Sequence, residues 1–99
     1  AMLGEKLPAR QALEWGLIHQ VVEASQLEDA VHALARRLAA MPTRGLGLIK
    51  RAFEAGLGQG LDAQLALEEA LQREAGRTAD YAEGVAAFLE KRKPAFVGR

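Results

Sequence analysis

The chain has 99 residues and a mass of 10.7 kDa, with 13 Lys and Arg balancing 13 Asp and Glu, no Cys and 49% hydrophobic residues. The lack of Cys excludes a disulfide framework, a thiolate metal site and a cysteine nucleophile, and zero net charge argues against a nucleic-acid partner. No apolar run approaches the roughly 18–20 residues that cross a bilayer and no signal-peptide pattern is present, so we expect a soluble, cytoplasmic protein without a membrane partner.

The apolar residues are mostly Ala and Leu, which are strong helix formers, whereas β-branched residues are few. Three of the β-branched residues lie close together between Leu17 and Val22, and such a segment is typical of extended backbone. We therefore predict an all-α fold with about five short helices and one short extended segment near Ile18–Val22.

The first half of the chain predicts two helices. Pro8 is suited to the first turn of a helix over about 8–15, and Gly16 is suited to a left-handed end. Ser25 followed by Glu28 matches a capping box, which predicts the start of a helix over about 26–40. Apolar residues at helical spacing give this second helix one hydrophobic stripe: Leu27, Val31, Leu34, Leu38 and Met41.

The second half predicts three more helices. Pro42 begins the first, which ends in the glycine cluster at 56–60 and carries the stripe Leu46, Ile49, Phe53 and Leu57. The next runs from Leu61 to about Ala75, with Gly76 as its stop. Thr78 is the expected N-cap of the last helix, and Pro94 its expected stop, with the stripe Tyr81, Val85, Phe88 and Leu89.

Acid–base and metal chemistry find little support in the pattern of titratable residues. His19 and His32 have no partners at the spacing of a known ligand motif. Several carboxylates lie opposite the Leu stripes, where solvated helix faces are the simpler interpretation: Glu68, Glu69, Glu74, Asp80, Glu83 and Glu90. We therefore assign no catalytic residue, no metal ligand and no cofactor.

The run Lys91-Arg92-Lys93 is the one charge cluster that invites a functional interpretation. It could be a solvated helix end, where cations complement the macrodipole, or it could hold phosphate groups. Phe88 and Phe96 could provide an aromatic ring beside such phosphates, or they could belong to the core.

Three segments carry a family resemblance. Residues 12–22 resemble the "A-x-x-x-G-L-[VI]-x-x-V-V" element of the enoyl-CoA hydratase/isomerase (crotonase) superfamily, and residues 42–50 resemble its next helix start. Residues 80–96 are similar to its terminal "D-x-x-E-G-x-x-A-F-x-E-K-R-x-P-x-F". Within the superfamily, residues 71–78 and the Gly98-Arg99 ending look most like the bacterial phenylacetate-degradation branch.

The resemblance implies that residues 1–99 are the single C-terminal helical region of an acyl-CoA isomerase or hydratase, which supplies oligomer contacts and closes over the acyl-CoA site. It implies a homo-oligomer, either a trimer or a hexamer. Phe88 and Lys91 match the family residues that approach the adenine and phosphates of CoA. The spiral core with the oxyanion hole and catalytic carboxylates has no counterpart in these residues, so we expect the chain to be inactive alone.

A stand-alone helical module that binds a partner through its Leu and Ala stripes is the alternative. The two hypotheses differ in what these stripes contact: a catalytic core and further subunits, or an unrelated protein.

Overall fold

The computed structural model describes residues 4–99, which form five α-helices and no strand. The all-α prediction is therefore confirmed. The structure divides into two compact units, one ending at Leu34 and the other comprising Ala35–Arg99. The helices are α1 (Ala9–Glu14), α2 (Leu27–Ala39), α3 (Thr43–Gly56), α4 (Leu61–Ala75) and α5 (Ala79–Leu89), and a 3₁₀ turn spans Ala24–Gln26.

Helix α1 ends at the left-handed glycine that the sequence predicts. Gly16 has φ 71°, and its N–H donates to the carbonyl of Leu13 at 3.0 Å. The N–H of Leu17 donates to the carbonyl of Ala12 at 2.9 Å, so two otherwise unpaired helix carbonyls are satisfied. The segment near Ile18–Val22, where we predicted extended backbone, lies in a non-helical connection that pairs with no strand in the described chain.

The predicted capping box before α2 is wrong. Ser25 lies inside the 3₁₀ turn, whose N-cap is Glu23, and this turn continues directly into Leu27 with helical backbone angles. Ser25 is therefore part of a tight turn, whereas a capping residue needs extended backbone in front of the helix. Helix α2 has no buried residue, so its predicted stripe is exposed in this chain.

Helices α3 and α4 pack together as a hairpin. Leu48 and Leu71 are buried, and the side-chain amide of Gln64 donates to the backbone carbonyl of Ala52 at 3.1 Å. Arg44 and Arg51 both approach the Glu74 carboxylate, at 2.9 and 3.6 Å, and connect the two helices on their outer side.

Most of the apolar stripe of α3 faces away from this contact. Phe53 is 75% exposed and Leu57 is 92% exposed, and Ile49, Leu61 and Leu65 are also exposed. Of these side chains, Ile49, Phe53 and Leu57 border a groove of about 540 Å³ along α3 and α4. Exposed apolar patches of this kind mark surfaces that other protein segments cover.

Helix α5 begins at its predicted cap and ends earlier than predicted. The Thr78 hydroxyl accepts from the Tyr81 N–H at 3.1 Å. The helix ends at Leu89, so the prediction that Pro94 is its stop is wrong. Lys91 ends the helix instead, since it adopts φ 53° and turns the chain away.

No helix in residues 4–99 is both long and apolar enough to cross a membrane.

Candidate functional site

Lys91 lies at the end of α5 in a backbone conformation that is unusual for a side-chain-bearing residue. Its φ of 53° falls in the left-handed region, where glycine is the usual residue at a helix end. Its N–H donates to the Phe88 carbonyl at 3.3 Å, and the N–H of Arg92 donates to the Ala87 carbonyl at 3.0 Å. The side chain of Lys91 is exposed and has no ion-pair partner within residues 4–99.

The two phenylalanines near this helix end have different environments. Phe88 is 82% exposed and lies three residues before Lys91, whose N–H is bonded to its carbonyl. Phe96 is half-buried and its ring packs against Gly84, where a Cβ would lie 3.7 Å from Cε1. Phe88 is thus available to a ligand, whereas Phe96 holds the tail against α5.

Arg92 is engaged by carboxylates, unlike Lys91. Its guanidinium donates to both oxygens of Glu83, through Nη1 to Oε1 at 2.6 Å and through Nη2 to Oε2 at 2.9 Å. Nε donates to Glu90, and the N–H of Ala95 donates to Glu83 Oε1 at 2.7 Å. These bonds favour the ionised carboxylate and lower the pKa of Glu83 to about 2, with Arg92 as the main cause and Ala95 as the second.

Asp80 fastens the end of the tail to the start of α5. One carboxylate oxygen accepts from the Val97 N–H at 2.7 Å and the other from the Gly98 N–H at 2.8 Å. The Asp80 N–H donates to the Arg99 carbonyl at 3.0 Å. Asp80 is only 2% exposed, so its assignment to a solvated helix face is wrong, because the tail folds back and covers it.

Glu83 was also predicted to lie on a solvated helix face, and it too is covered in part by the tail. It lies one turn after Asp80 on α5 and is partly covered by the side chain and backbone that it binds. The two carboxylates thus hold successive parts of the tail. Their shared role is structural, since both are occupied by hydrogen-bond donors of the chain itself.

The tail also approaches the start of α3. Gly98 has φ 79°, and a Cβ at this position would lie 2.6 Å from the Thr43 hydroxyl. Both the backbone conformation and the space therefore require glycine.

An apolar groove of about 410 Å³ lies beside α5, between the tail and the start of α3. Phe88 borders it, together with Pro42, Gly45, Ala75, Thr78, Asp80, Tyr81, Gly84, Val85, Leu89 and Phe96. A flat aromatic group could lie in such a groove against the Phe88 ring, within reach of the end of α5.

The two histidines belong to the compact unit that ends at Leu34. His32 Nε2 lies 3.8 Å from the carboxylate of Glu28 on the same helix, and both side chains are exposed. No group of three or more possible ligands that could hold a metal ion occurs in the part of the chain that the structure describes.

Comparison with known proteins identifies the family. Residues 1–99 match the enoyl-CoA hydratase/isomerase family. The chain belongs to the enoyl-CoA hydratase/isomerase family. Among curated relatives, it is 56% identical over 99 residues to 1,2-epoxyphenylacetyl-CoA isomerase of Escherichia coli K12 and 48% identical to a probable enoyl-CoA hydratase of Rhodobacter capsulatus. Each of these two matches covers 100% of this chain and 38% of the relative, so the chain spans well under half the length of these relatives.

Solved structures of enoyl-CoA hydratase/isomerase family members share the fold. An enoyl-CoA hydratase of Geobacillus kaustophilus matches 99% of this chain and 37% of its own, with a TM-score of 0.91 and 34% identity. A putative enoyl-CoA hydratase of Streptomyces coelicolor matches 99% of this chain and 36% of its own, with a TM-score of 0.92 and 38% identity. Each likeness covers both compact units.

For this enoyl-CoA hydratase/isomerase chain, the structure places the two predicted CoA contacts, Phe88 and Lys91, at one exposed helix end. It separates Arg92 from Lys91 by binding Arg92 to Glu83. Sequence reasoning missed the tail-binding role of Asp80 and Glu83. Their spacing of three residues, which places them on one face of a helix, was the signal that could have suggested it.

Proposed function

We propose that this chain is the C-terminal region of an acyl-CoA isomerase or hydratase and supplies part of its CoA site. The observation that carries the proposal is the exposed end of α5, where Phe88 is 82% exposed and Lys91, three residues later, has no ion-pair partner in residues 4–99. An ammonium group offers a phosphate a mobile point charge. An exposed ring offers a purine base a stacking surface.

The reaction itself is assigned to the rest of the enzyme. Backbone N–H groups of an oxyanion hole would polarise the thioester carbonyl and stabilise an enolate, and carboxylates there would move protons. The likeness to relatives over 38% of their length supports this division. We expect no turnover of acyl-CoA thioesters by the 99-residue chain alone, and turnover near that of an intact enzyme would contradict it.

We propose a phenylacetate-pathway thioester as substrate, on the support of 56% identity to 1,2-epoxyphenylacetyl-CoA isomerase. The full-length enzyme is expected to convert 1,2-epoxyphenylacetyl-CoA with a higher kcat/KM than a straight-chain enoyl-CoA. The opposite order would assign it to fatty-acid catabolism instead. A cytoplasmic location fits this use of CoA thioesters.

The contact between Lys91 and the CoA phosphates is tested by a Lys91→Ala substitution in the full-length enzyme. Loss of one charge-assisted hydrogen bond, worth about 1.5–3 kcal/mol, raises KM for the CoA thioester by more than about tenfold. Lys93→Ala is the matched control, since it removes the same charge two residues away. A KM that rises equally in both variants, or in neither, contradicts the contact.

We further propose that the exposed apolar faces of α3 and α4 pack against other subunits in a trimer or hexamer. The support is the exposure of Phe53 and Leu57 along a groove of about 540 Å³. A Phe53→Arg substitution would bury a charge in such an interface and shift the enzyme to smaller species in sedimentation. Glu54→Arg, on an exposed neighbouring position, is the control. A Phe53→Arg enzyme that stays fully assembled contradicts this interface.

A further inference from the structure

The position of Lys91 depends on its backbone, and that backbone is held from two sides. On the helix side, the bonds from the Lys91 and Arg92 N–H groups to the last turn of α5 form the turn that ends the helix. A residue with a Cβ is disfavoured in the left-handed region by roughly 1–2 kcal/mol relative to helical backbone. Two hydrogen bonds with a net worth of about 0.5–1.5 kcal/mol each only balance this preference, so a further restraint decides how fully Lys91 populates the left-handed region.

On the tail side, Glu83 supplies the second restraint. Its carboxylate binds the guanidinium of Arg92 through two parallel hydrogen bonds and the N–H of Ala95 through a third. Arg92, directly after Lys91, and Ala95, four positions after it, are thus fixed to the middle of α5. A paired fork of this kind defines both distance and orientation, which a single hydrogen bond does not.

We propose that Glu83 and Arg92 are positioning residues that lock Lys91 in its left-handed conformation and so direct its ammonium group at the CoA phosphates. This role rests on the proposed phosphate contact of Lys91. Preorganisation lowers the entropy that binding must otherwise overcome. A freed Lys91 still reaches the phosphates, but from a wider range of backbone conformations.

The charge state of the pair supports a permanent lock. The pKa of Glu83 lies at about 2, and its partners hold the pKa of Arg92 above the usual value of an arginine. Both groups therefore stay ionised at any pH at which the enzyme would work, and the lock is not a pH switch.

The test is a double-mutant cycle in the full-length enzyme, with KM and kcat measured for one CoA thioester. Glu83→Gln keeps an acceptor for the Ala95 N–H and weakens the fork to Arg92. We expect it to raise KM by about 3- to 10-fold, the cost of ordering one long side chain, with kcat within about twofold of the parent. In a Lys91→Ala background, the same substitution should change KM by less than about twofold, because the group that it positions is gone.

Two further variants complete the design. Arg92→Gln breaks the fork from the other side and leaves the bond between Ala95 and Glu83 in place, so it repeats the test if Glu83→Gln does not fold. Glu69→Gln removes an exposed carboxylate that pairs with Arg73 on α4 and should leave KM unchanged.

The outcomes separate the two proposals. A rise in KM on Glu83→Gln that is the same with and without the Lys91 side chain overturns the positioning role, as does an unchanged KM. If Lys91→Ala raises KM and both fork variants leave it unchanged, the phosphate contact stands and only the positioning role fails. If Lys91→Ala itself leaves KM unchanged, both fail.

Discussion

Asp80 and Gly98 lie eighteen residues apart in the chain and are joined by a 2.8 Å hydrogen bond from the Gly98 N–H to the Asp80 carboxylate. The second oxygen of Asp80 is bound to the neighbouring Val97 N–H. A buried carboxylate at the start of α5 thereby closes the tail into a loop. The fixed tail, in turn, carries the groups that restrain the opposite end of the same helix.

An Asp80→Asn substitution is expected to loosen this loop. An amide has one acceptor oxygen, so one of the two N–H groups of Val97 and Gly98 would face an NH₂ donor and stay unpaired. Leaving such a group unpaired costs about 1–3 kcal/mol. Hydrogen exchange of the two amides should accelerate accordingly, whereas Asp62→Asn, in the exposed first turn of α4, should leave it unchanged. Equal protection in both variants would show that Asp80 does not hold the tail.

A Gly98→Ala substitution strains the same loop through the backbone. At φ 79° an alanine is disfavoured by roughly 1–2 kcal/mol, and its Cβ would meet the Thr43 hydroxyl at 2.6 Å. Proteolysis of the tail should become faster. Gly58→Ala, where a Cβ meets nothing within 4 Å, is the matched control. Adding Thr43→Ala should remove the clash with the hydroxyl and slow proteolysis part of the way back. The strain of the left-handed backbone at position 98 would remain.

The bond between Glu83 and Arg92 predicts a specific pH dependence of stability. The pKa of Glu83 is about 2 in the folded chain, against the usual value of 4.5 for a glutamate side chain. A lowered folded pKa means that the stabilisation is complete above about pH 4.5 and is lost as the pH falls toward 2. The difference in unfolding temperature between the parent and Glu83→Gln should therefore be constant above pH 5 and shrink below pH 4.5. A difference that is as large at pH 3 as at pH 6 would be inconsistent with this bond.

A Phe88→Ala substitution should separate binding from stability. Because the side chain is 82% exposed, the free energy of unfolding should change by no more than about 0.5 kcal/mol. Loss of stacking on the adenine, worth about 0.5–1.5 kcal/mol, should raise KM for the CoA thioester by about 2- to 10-fold. Leu17→Ala removes another exposed apolar side chain, in the connection after α1, and should leave KM unchanged. A large loss of stability with an unchanged KM would assign Phe88 to packing.

The helices themselves were predictable from the sequence because their signals are local. Gly16 and Thr78 mark helix ends through their own backbone or side-chain chemistry, and the bounds of α4 follow from Leu61 and Gly76. The path of the tail was harder to predict: the spacing of Asp80 and Glu83 places them on one helix face, but the backbone N–H groups that Asp80 binds lie 17 and 18 positions away, and residue type does not identify them. The left-handed backbone of Lys91 could not be predicted from its residue type, because glycine is the usual residue at such a helix end.

The stripes show a different limit of sequence reasoning. Helical periodicity correctly found the apolar face of α3, yet Leu48, outside the predicted stripe, is the buried residue of that helix. The predicted stripe residues Phe53 and Leu57 are exposed. Periodicity finds an apolar face, but it does not say whether this chain or another segment covers it.

The most direct test of the account compares two substrates with the same acyl group, one carried by CoA and one by pantetheine, which lacks the nucleotide and its phosphates. In the full-length enzyme, Lys91→Ala should raise KM for the CoA thioester by more than about tenfold and change KM for the pantetheine thioester by less than about twofold. A rise of the same size for both substrates, or for neither, would contradict a contact between Lys91 and the phosphates of CoA.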